Sequence, residues 1–271
     1  MSSTEHPATN NEGNPPKGPP ERPAYPIGVP SKFSPSGEVQ PFPGNTILAH
    51  LGGPSTPLYA ALLPLHAQLA ARSSSSSSSK LYTLLPPESW HVTLFEGVCD
   101  QVRDADRGAP RGTYWPSDLA ADAPLAECTA HFAQKLKGFE LLRDDGPPYR
   151  MRVIGFSALE VGIGVAVEPV DEGEKARLRR LRDRLSQELR IRHPGHDKYG
   201  LHVSMAYFLR WMQPDEEMEV KSVLDGVLAK SLDHGGILGM EFELGAPEFC
   251  EFKDMFWFER LFYLGEGRES E

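Results

Sequence analysis

Two short stretches of this chain combine residues that move protons with residues that hold phosphoryl oxygens. They are His91-Val92-Thr93, within Ser89-Trp90-His91-Val92-Thr93-Leu94-Phe95, and His202-Val203-Ser204, within Gly200-Leu201-His202-Val203-Ser204-Met205-Ala206. Imidazole is the side chain best placed to give or take a proton near neutrality. A hydroxyl donates a hydrogen bond to a nonbridging phosphate oxygen, where charge builds in the transition state. If each stretch is a strand, alternate side chains share a face. His91 then stands with Thr93, and His202 with Ser204, each pair about 7 Å apart. Val92, Leu94, Val203 and Met205 face the opposite way, toward a core. Two such units opposed across a cleft supply one base, one acid and two oxyanion clamps, which suits the cutting of a phosphodiester without a metal.

Strand parity also places Ser89 and Phe95 beside His91, and Ala206 and Phe208 beside His202. Phe95 and Trp90 are candidates to stack on a nucleobase. Tyr199, Tyr207, Arg210 and Trp211 flank the second motif. Arg210, and Arg152 on a separate strand-like segment, are candidates to bind a phosphate oxygen. The expected substrate-binding set is therefore Phe95, Trp90, Tyr199, Tyr207, Arg210 and Arg152. His50, in a predicted strand, reads as a structural histidine rather than a cleft residue. His193, His196 and His202 raise a metal reading. However, His193-Pro194-Gly195-His196 is a turn, and no cysteine or regularly spaced carboxylate completes a zinc pattern. No metal and no cofactor are expected.

The elements that must position these motifs alternate along the chain. Residues 45–51 read as a strand. Residues 56–71 read as a helix, with Leu58, Leu62, Leu65 and Leu69 at helical spacing around Pro64. Strands are expected over 81–85 and 90–98, a helix over 118–136, and strands over 149–154 and 162–168. The clearest helix is 172–192, where Leu178, Leu181, Leu185 and Leu189 form one apolar stripe among charges. A strand over 199–209, a helix over 215–232 and strands over 239–252 and 255–264 complete the series. The class is α+β. Each half offers a helix, a strand with His-x-Ser/Thr, then more helix and strand.

Residues 1–31 are Pro-rich and read as a disordered tail, and 266–271 as a second tail. The seven serines at 73–79 read as a loop expansion. One domain is expected over 32–265. Across 271 residues, 28 Lys+Arg against 38 Asp+Glu give a net charge of −10. That balance excludes a broad basic surface for duplex DNA. Cys99, Cys128 and Cys250 are scattered and form no CxxC, so no disulfide framework is indicated. No apolar run reaches about 18 residues, so no membrane span is expected. A cytoplasmic monomer is the default reading.

The motif pair, HVTL at 91–94 and HVSM at 202–205, resembles the 2H phosphoesterase superfamily, whose members carry two His-h-Ser/Thr-h tetrapeptides, h being apolar. The flanks PFPGNTILAHL, LPPESWHVTLFEGV and KYGLHVSMAYFLRW look most like a microbial branch of it. The resemblance covers about residues 32–265. It implies a bilobal, pseudo-twofold fold in which two small antiparallel sheets flank a central cleft with helices outside. It also implies an activity among RNA 2′,3′-cyclic phosphodiesterases, LigT-like ligase-related enzymes and cyclic-nucleotide hydrolases. The expected substrate is a small nucleotide or RNA end bearing a 2′,3′-cyclic phosphate. A non-catalytic module binding a phosphorylated ligand and an RNA-joining activity are the alternatives. His91 and His202 stand 111 residues apart, long for the superfamily. The extra sequence at 100–124 is expected to reshape the cleft mouth.

Overall fold

The computed structural model describes residues 22–53, 55–75, 80–103, 108–141, 144, 146–230 and 232–265. Along these the chain forms β1 (Gly44–His50), α1 (Pro57–Ser75), β2 (Tyr82–Leu84), β3 (His91–Cys99), α2 (Leu125–Lys137), β4 (Tyr149–Phe156) and β5 (Gly162–Pro169). It continues through α3 (Glu172–Leu189), β6 (His202–Phe208), α4 (Pro214–Leu228), β7 (Glu241–Leu244), β8 (Glu248–Phe252) and β9 (Phe258–Tyr263). The class is mixed α+β.

The strands form one nine-stranded sheet in the order β7-β4-β5-β6-β3-β1-β8-β9, with β2 also on β6. Two separate small sheets were the expectation from resemblance. The two halves are instead continuous, although they meet through the single pair Val92–Val203 of β3 and β6. The sheet is strongly curled. Phe252 pairs with Gly44 and with Phe258, at the end of β1 opposite His50. Even so, the Phe258 ring packs on His91, whose register partner is His50. Bulges cause much of this curvature, because each extra residue bends its strand and raises its twist.

Helix formation follows the apolar spacing. In α1 the stripe Leu58, Leu62, Leu65 and Leu69 is fully buried, and the helix runs through Pro64. A proline interior costs about 3 kcal/mol, which burying four leucines at about 1.5–3 kcal/mol each offsets. In α3 the Asp171 carboxylate caps the first turn by accepting from the Glu174 N–H at 2.9 Å, and Leu178, Leu181, Leu185 and Leu189 face the sheet core. The helix expected over 118–136 begins only at Leu125, because Pro116 and Pro124 deny the preceding turn. The strand expected over 239–252 is two strands, β7 and β8, interrupted around Pro247.

Residues 22–31, expected within the tail, lie against the domain. The Trp211 indole N–H donates to the Pro23 carbonyl at 2.7 Å, and the Arg22 guanidinium stacks 3.6 Å from the Trp211 ring. Residues 1–21 and 266–271 lie outside the described residues, as do 76–79 of the serine run; Ser73–Ser75 end α1. In the 100–124 insertion, Trp115 is fully buried. Main-chain bonds from Ser117 N–H to Arg190 O and from Arg192 N–H to Gly112 O tie this stretch to the C-terminal end of α3. A second, smaller apolar cluster joins Phe33, Phe42, Leu85, Leu209, Phe252 and Met255, with Tyr207 and Phe258 packed against it.

Candidate active site

The Val92–Val203 pair is antiparallel. Continuing its register by one residue either way sets His91 across from Ser204 and Thr93 across from His202. A local twofold axis through the valine pair therefore exchanges one motif for the other. Val92 and Val203 are buried completely, and all four motif residues are half-buried on the opposite face. On the outer side of β6, Ala166 stands opposite His202 and Gly164 opposite Ser204. These small residues leave room above the motif.

The two histidines are held in the same way. His91 Nδ1 lies 2.7 Å from the Ser89 carbonyl, and His202 Nδ1 lies 3.0 Å from the Gly200 carbonyl. A carbonyl oxygen only accepts, so each Nδ1 must carry a proton. In the neutral imidazole each Nε2 is then the basic nitrogen. Burial pushes His91 down to about 4; the Ser89 carbonyl opposes this, and the neighbouring His50 and His202 add to it. His91 is thus neutral at physiological pH and able to accept a proton. Its ring is braced by Phe258, centroid to centroid 4.3 Å.

Both motif strands bulge at the residue after the hydroxyl. Along β1, Leu48 pairs with Thr93 and Ile47 with Phe95, so Leu94 is extra; along β5, Gly164 pairs with Ser204 and Ile163 with Ala206, so Met205 is extra. Each bulge inverts the parity of the residues beyond it. Phe95, expected beside His91, is therefore in the core, where it meets the rings of His193 and His196. Ala206 and Phe208, expected beside His202, are buried for the same reason. The bulges bring Glu96 and Tyr207 to the cleft side instead. Trp90 is fully buried against Tyr59 and His66 and offers no face to a base.

Tyr199 joins the two motifs. Its hydroxyl is hydrogen-bonded to Thr93, and its ring centroid lies 6.4 Å from that of His202. Burial raises the phenol, so it stays protonated. Arg182 of α3 lies 4.5 Å from the Tyr199 ring centroid and donates to the Leu94 carbonyl, at the bulge, at 2.5 Å. One buried guanidinium thus fixes both the bulge and the tyrosine that aims Thr93. Sequence reading passed over Arg182, although it sits four residues after Leu178 inside the leucine stripe. Arg210 is engaged elsewhere. It pairs with Glu216 at 2.7 Å, and Glu216 also caps α4 through the Gln213 N–H. Arg152 pairs with Glu168 across β4 and β5 at 2.6 Å, two strands out from His202 on the same face.

His50, read from sequence as structural, is the register partner of His91, their ring centroids 6.1 Å apart. Its Nδ1 donates to Glu248 at 2.9 Å, and Arg260 donates to the same carboxylate at 3.3 Å. Burial pushes the Glu248 carboxyl up, but the His50 bonds and the Arg260 charge outweigh it and hold it below the usual range. The histidines suspected from sequence do not converge. His193 Nε2 donates to the Glu96 carbonyl, and His196 Nε2 pairs with Asp183. Among the described residues, His50, Glu248 and Cys250 do converge, with ligand atoms within 4.8 Å of one another. Their carboxylate is already satisfied by His50 and Arg260. A cavity of about 1080 Å³ shares His50, Glu248 and Arg260 with this edge of the site, but neither motif histidine lines it. The motif face brings two Nδ1-anchored imidazoles together with two hydroxyls.

A family model described as "2H-phosphodiest: Domain of unknown function (DUF1868)" matches residues 32–162. The match supports a 2H phosphoesterase-like family. It spans His91 and Thr93 and stops before the second motif. A conserved protein of unknown function from Agrobacterium tumefaciens strain C58 is similar in structure, with a TM-score of 0.73 and 28% identity over 90% of this chain and 94% of its own. A protein of Thermus thermophilus aligns over 83% of this chain and 99% of its own at 14% identity, with a TM-score of 0.39. No curated protein matches by sequence. Among the described residues, no helix is long and apolar enough to cross a membrane.

Proposed function

We infer that the chain is a metal-independent phosphodiesterase that hydrolyses a cyclic phosphodiester, the 2′,3′-cyclic phosphate of an RNA end or nucleotide. The observation carrying this reading is the twofold arrangement of two Nδ1-anchored histidines, each across the strand pair from a hydroxyl. In this reading neutral His91 takes a proton from water through Nε2 as the water oxygen bonds to phosphorus. The bond from phosphorus to one ribose oxygen breaks, and protonated His202 gives its Nε2 proton to that oxygen. Thr93 and Ser204 donate to the nonbridging oxygens, where charge accumulates. Solvent then resets the two imidazoles.

The roles make a pH prediction. A base held near 4 stays unprotonated well below the ordinary histidine value of 6.5. The acid limb of kcat/KM, which reports the free enzyme, is expected to fall about twofold between pH 5 and pH 4 and to approach about tenfold per unit only below pH 4, rather than breaking near 6.5. Stability has the same sign. The unfolded chain takes up a proton at this site before the folded one does, so the contribution of His91 is complete above pH 6.5 and lost as pH falls toward 4. A pH–rate profile beside a pH–melting profile checks both.

The reading itself is tested by incubating 2′,3′-cyclic nucleotides and cyclic-phosphate-ended oligonucleotides with the protein in EDTA. Ring opening to a monophosphate end is the expected result. Joining of ends would instead support the ligase-like alternative. Binding without turnover would support the non-catalytic module. Activity that vanishes with chelator would move the chemistry to a metal, with His50, Glu248 and Cys250 the first candidate ligands.

A further inference from the structure

Lys32 carries a charge on the concave face that no motif accounts for. Its backbone is fixed by its own N–H to the Gly28 carbonyl at 2.7 Å and by the Gln40 N–H to its carbonyl at 2.8 Å. Its Nζ donates to the Tyr207 hydroxyl at 3.1 Å and lies 4.8 Å from the Tyr207 ring centroid and 5.1 Å from that of Phe42. Tyr207 is on the cleft side of β6, the side of His202 and Ser204, because of the bulge at Met205. Cys99, on the cleft side of β3, is close enough to feel the same charge. Burial pulls the ammonium down, but Tyr207 outweighs it, and Lys32 stays protonated.

Among the described residues Lys32 makes no ion pair with a carboxylate. A partly desolvated cation without a counter-charge is costly, and a ring face with a neutral hydroxyl offsets only part of that. In a chain of net charge −10 it is a local attractor for an anion. Tyr207 lies three residues beyond Ser204, up to about 10 Å along the strand, and Nζ sits at the tip of its side chain. Thr93 and Ser204 already hold the oxygens of the phosphoryl group in the mechanism above, so the anion left for Lys32 is a separate one.

We propose that Lys32 binds a second phosphate of the substrate, one nucleoside removed from the phosphodiester that is cut. The substrate class is then a nucleotide or oligonucleotide end bearing a further phosphate, rather than a bare nucleoside cyclic phosphate. This rests on the phosphodiesterase reading above.

The test is calorimetric binding of adenosine 3′,5′-bisphosphate and adenosine 3′-monophosphate to the full chain, to Lys32→Met and to Lys32→Arg, each checked for an unchanged melting profile. Methionine keeps the apolar stem and removes the charge. The wild type is expected to prefer the bisphosphate by about tenfold, the size of one charge-assisted hydrogen bond. Lys32→Met should lose that preference while holding the monophosphate as before, and Lys32→Arg should keep most of it. Equal binding of both nucleotides by the wild type, or a preference that survives Lys32→Met, overturns the lysine assignment and leaves the two-histidine site standing. Failure of the wild type to bind either nucleotide overturns both.

Discussion

His91→Ala and His202→Ala are each expected to lower kcat/KM for a cyclic phosphodiester by about a thousandfold, and the double variant to lose little more. Positioned acid–base groups contribute about 10²–10⁴-fold, and residues that act as one unit give non-additive losses. The twofold register underlies the symmetry of the effect. Each imidazole is anchored through Nδ1 to the carbonyl two residues before it, and each faces the other motif's hydroxyl. Both histidines are half-buried on the cleft face, not in the core behind it. The melting temperature should therefore move little. A large fall in stability with activity retained per folded molecule would reduce the pair to a structural role.

Gly162→Ala is expected to cost about 3 kcal/mol, read as a fall of roughly 8 °C in Tm, and to damage catalysis in the protein that still folds. A Cβ at Gly162 would sit 1.9 Å from the Ala206 carbonyl oxygen and 3.1 Å from the Tyr207 Cα. Backbone rather than flexible side chain stands in the way, so β5 or the bulged end of β6 must shift. That shift would reach Ser204 and Tyr207. Gly97, on the motif strand β3 itself, is also tightly placed: a Cβ there would meet the Asn45 carbonyl oxygen at 2.0 Å. Thermal unfolding of Gly162→Ala beside its steady-state kinetics checks the first case. An unchanged Tm would mean that the two strands are not so closely apposed.

The motif residues were legible because a two-residue period survives over three residues. His91, Val92 and Thr93, and their counterparts, precede the bulges, so their faces follow from parity alone. Phe95, Ala206 and Phe208 come after the bulges, and an unmarked extra residue inverted them. Leu94 and Met205 look like ordinary strand residues, and only cross-strand pairing exposes them as inserted. Trp90 was misplaced for a different reason. Proximity in sequence to His91 suggested the cleft, whereas it directly precedes the strand and its ring belongs to the α1 side of the core. Arg210 has its cause in a cap, since Glu216 three residues after Gln213 forms a capping box that also takes the guanidinium. His50 is a satisfied histidine, as its sequence reading has it, but its partner Glu248 lies 198 residues away, beyond any local pattern. Lys32 had no signal at all. Its placement depends on Tyr207 reaching the cleft side, which depends in turn on the bulge at Met205. The helices were the easiest to read, since a leucine stripe such as Leu178 to Leu189 is a long-period signal that one charged intruder, Arg182, does not erase.

In the mechanism inferred for this site both imidazoles work through Nε2, one taking a proton and one giving it. Nitrogen-15 NMR of the histidine side chains tests this most directly, at pH 8, with and without adenosine 3′-monophosphate. His91 and His202 are both expected to be Nδ1–H tautomers in the unliganded protein. Both Nε2 resonances are expected to shift when the nucleotide binds, while the Nδ1 protons stay in place. A neutral ring of either histidine that carries its proton on Nε2 instead of Nδ1, or nucleotide binding that leaves both Nε2 resonances where they were, would contradict the mechanism.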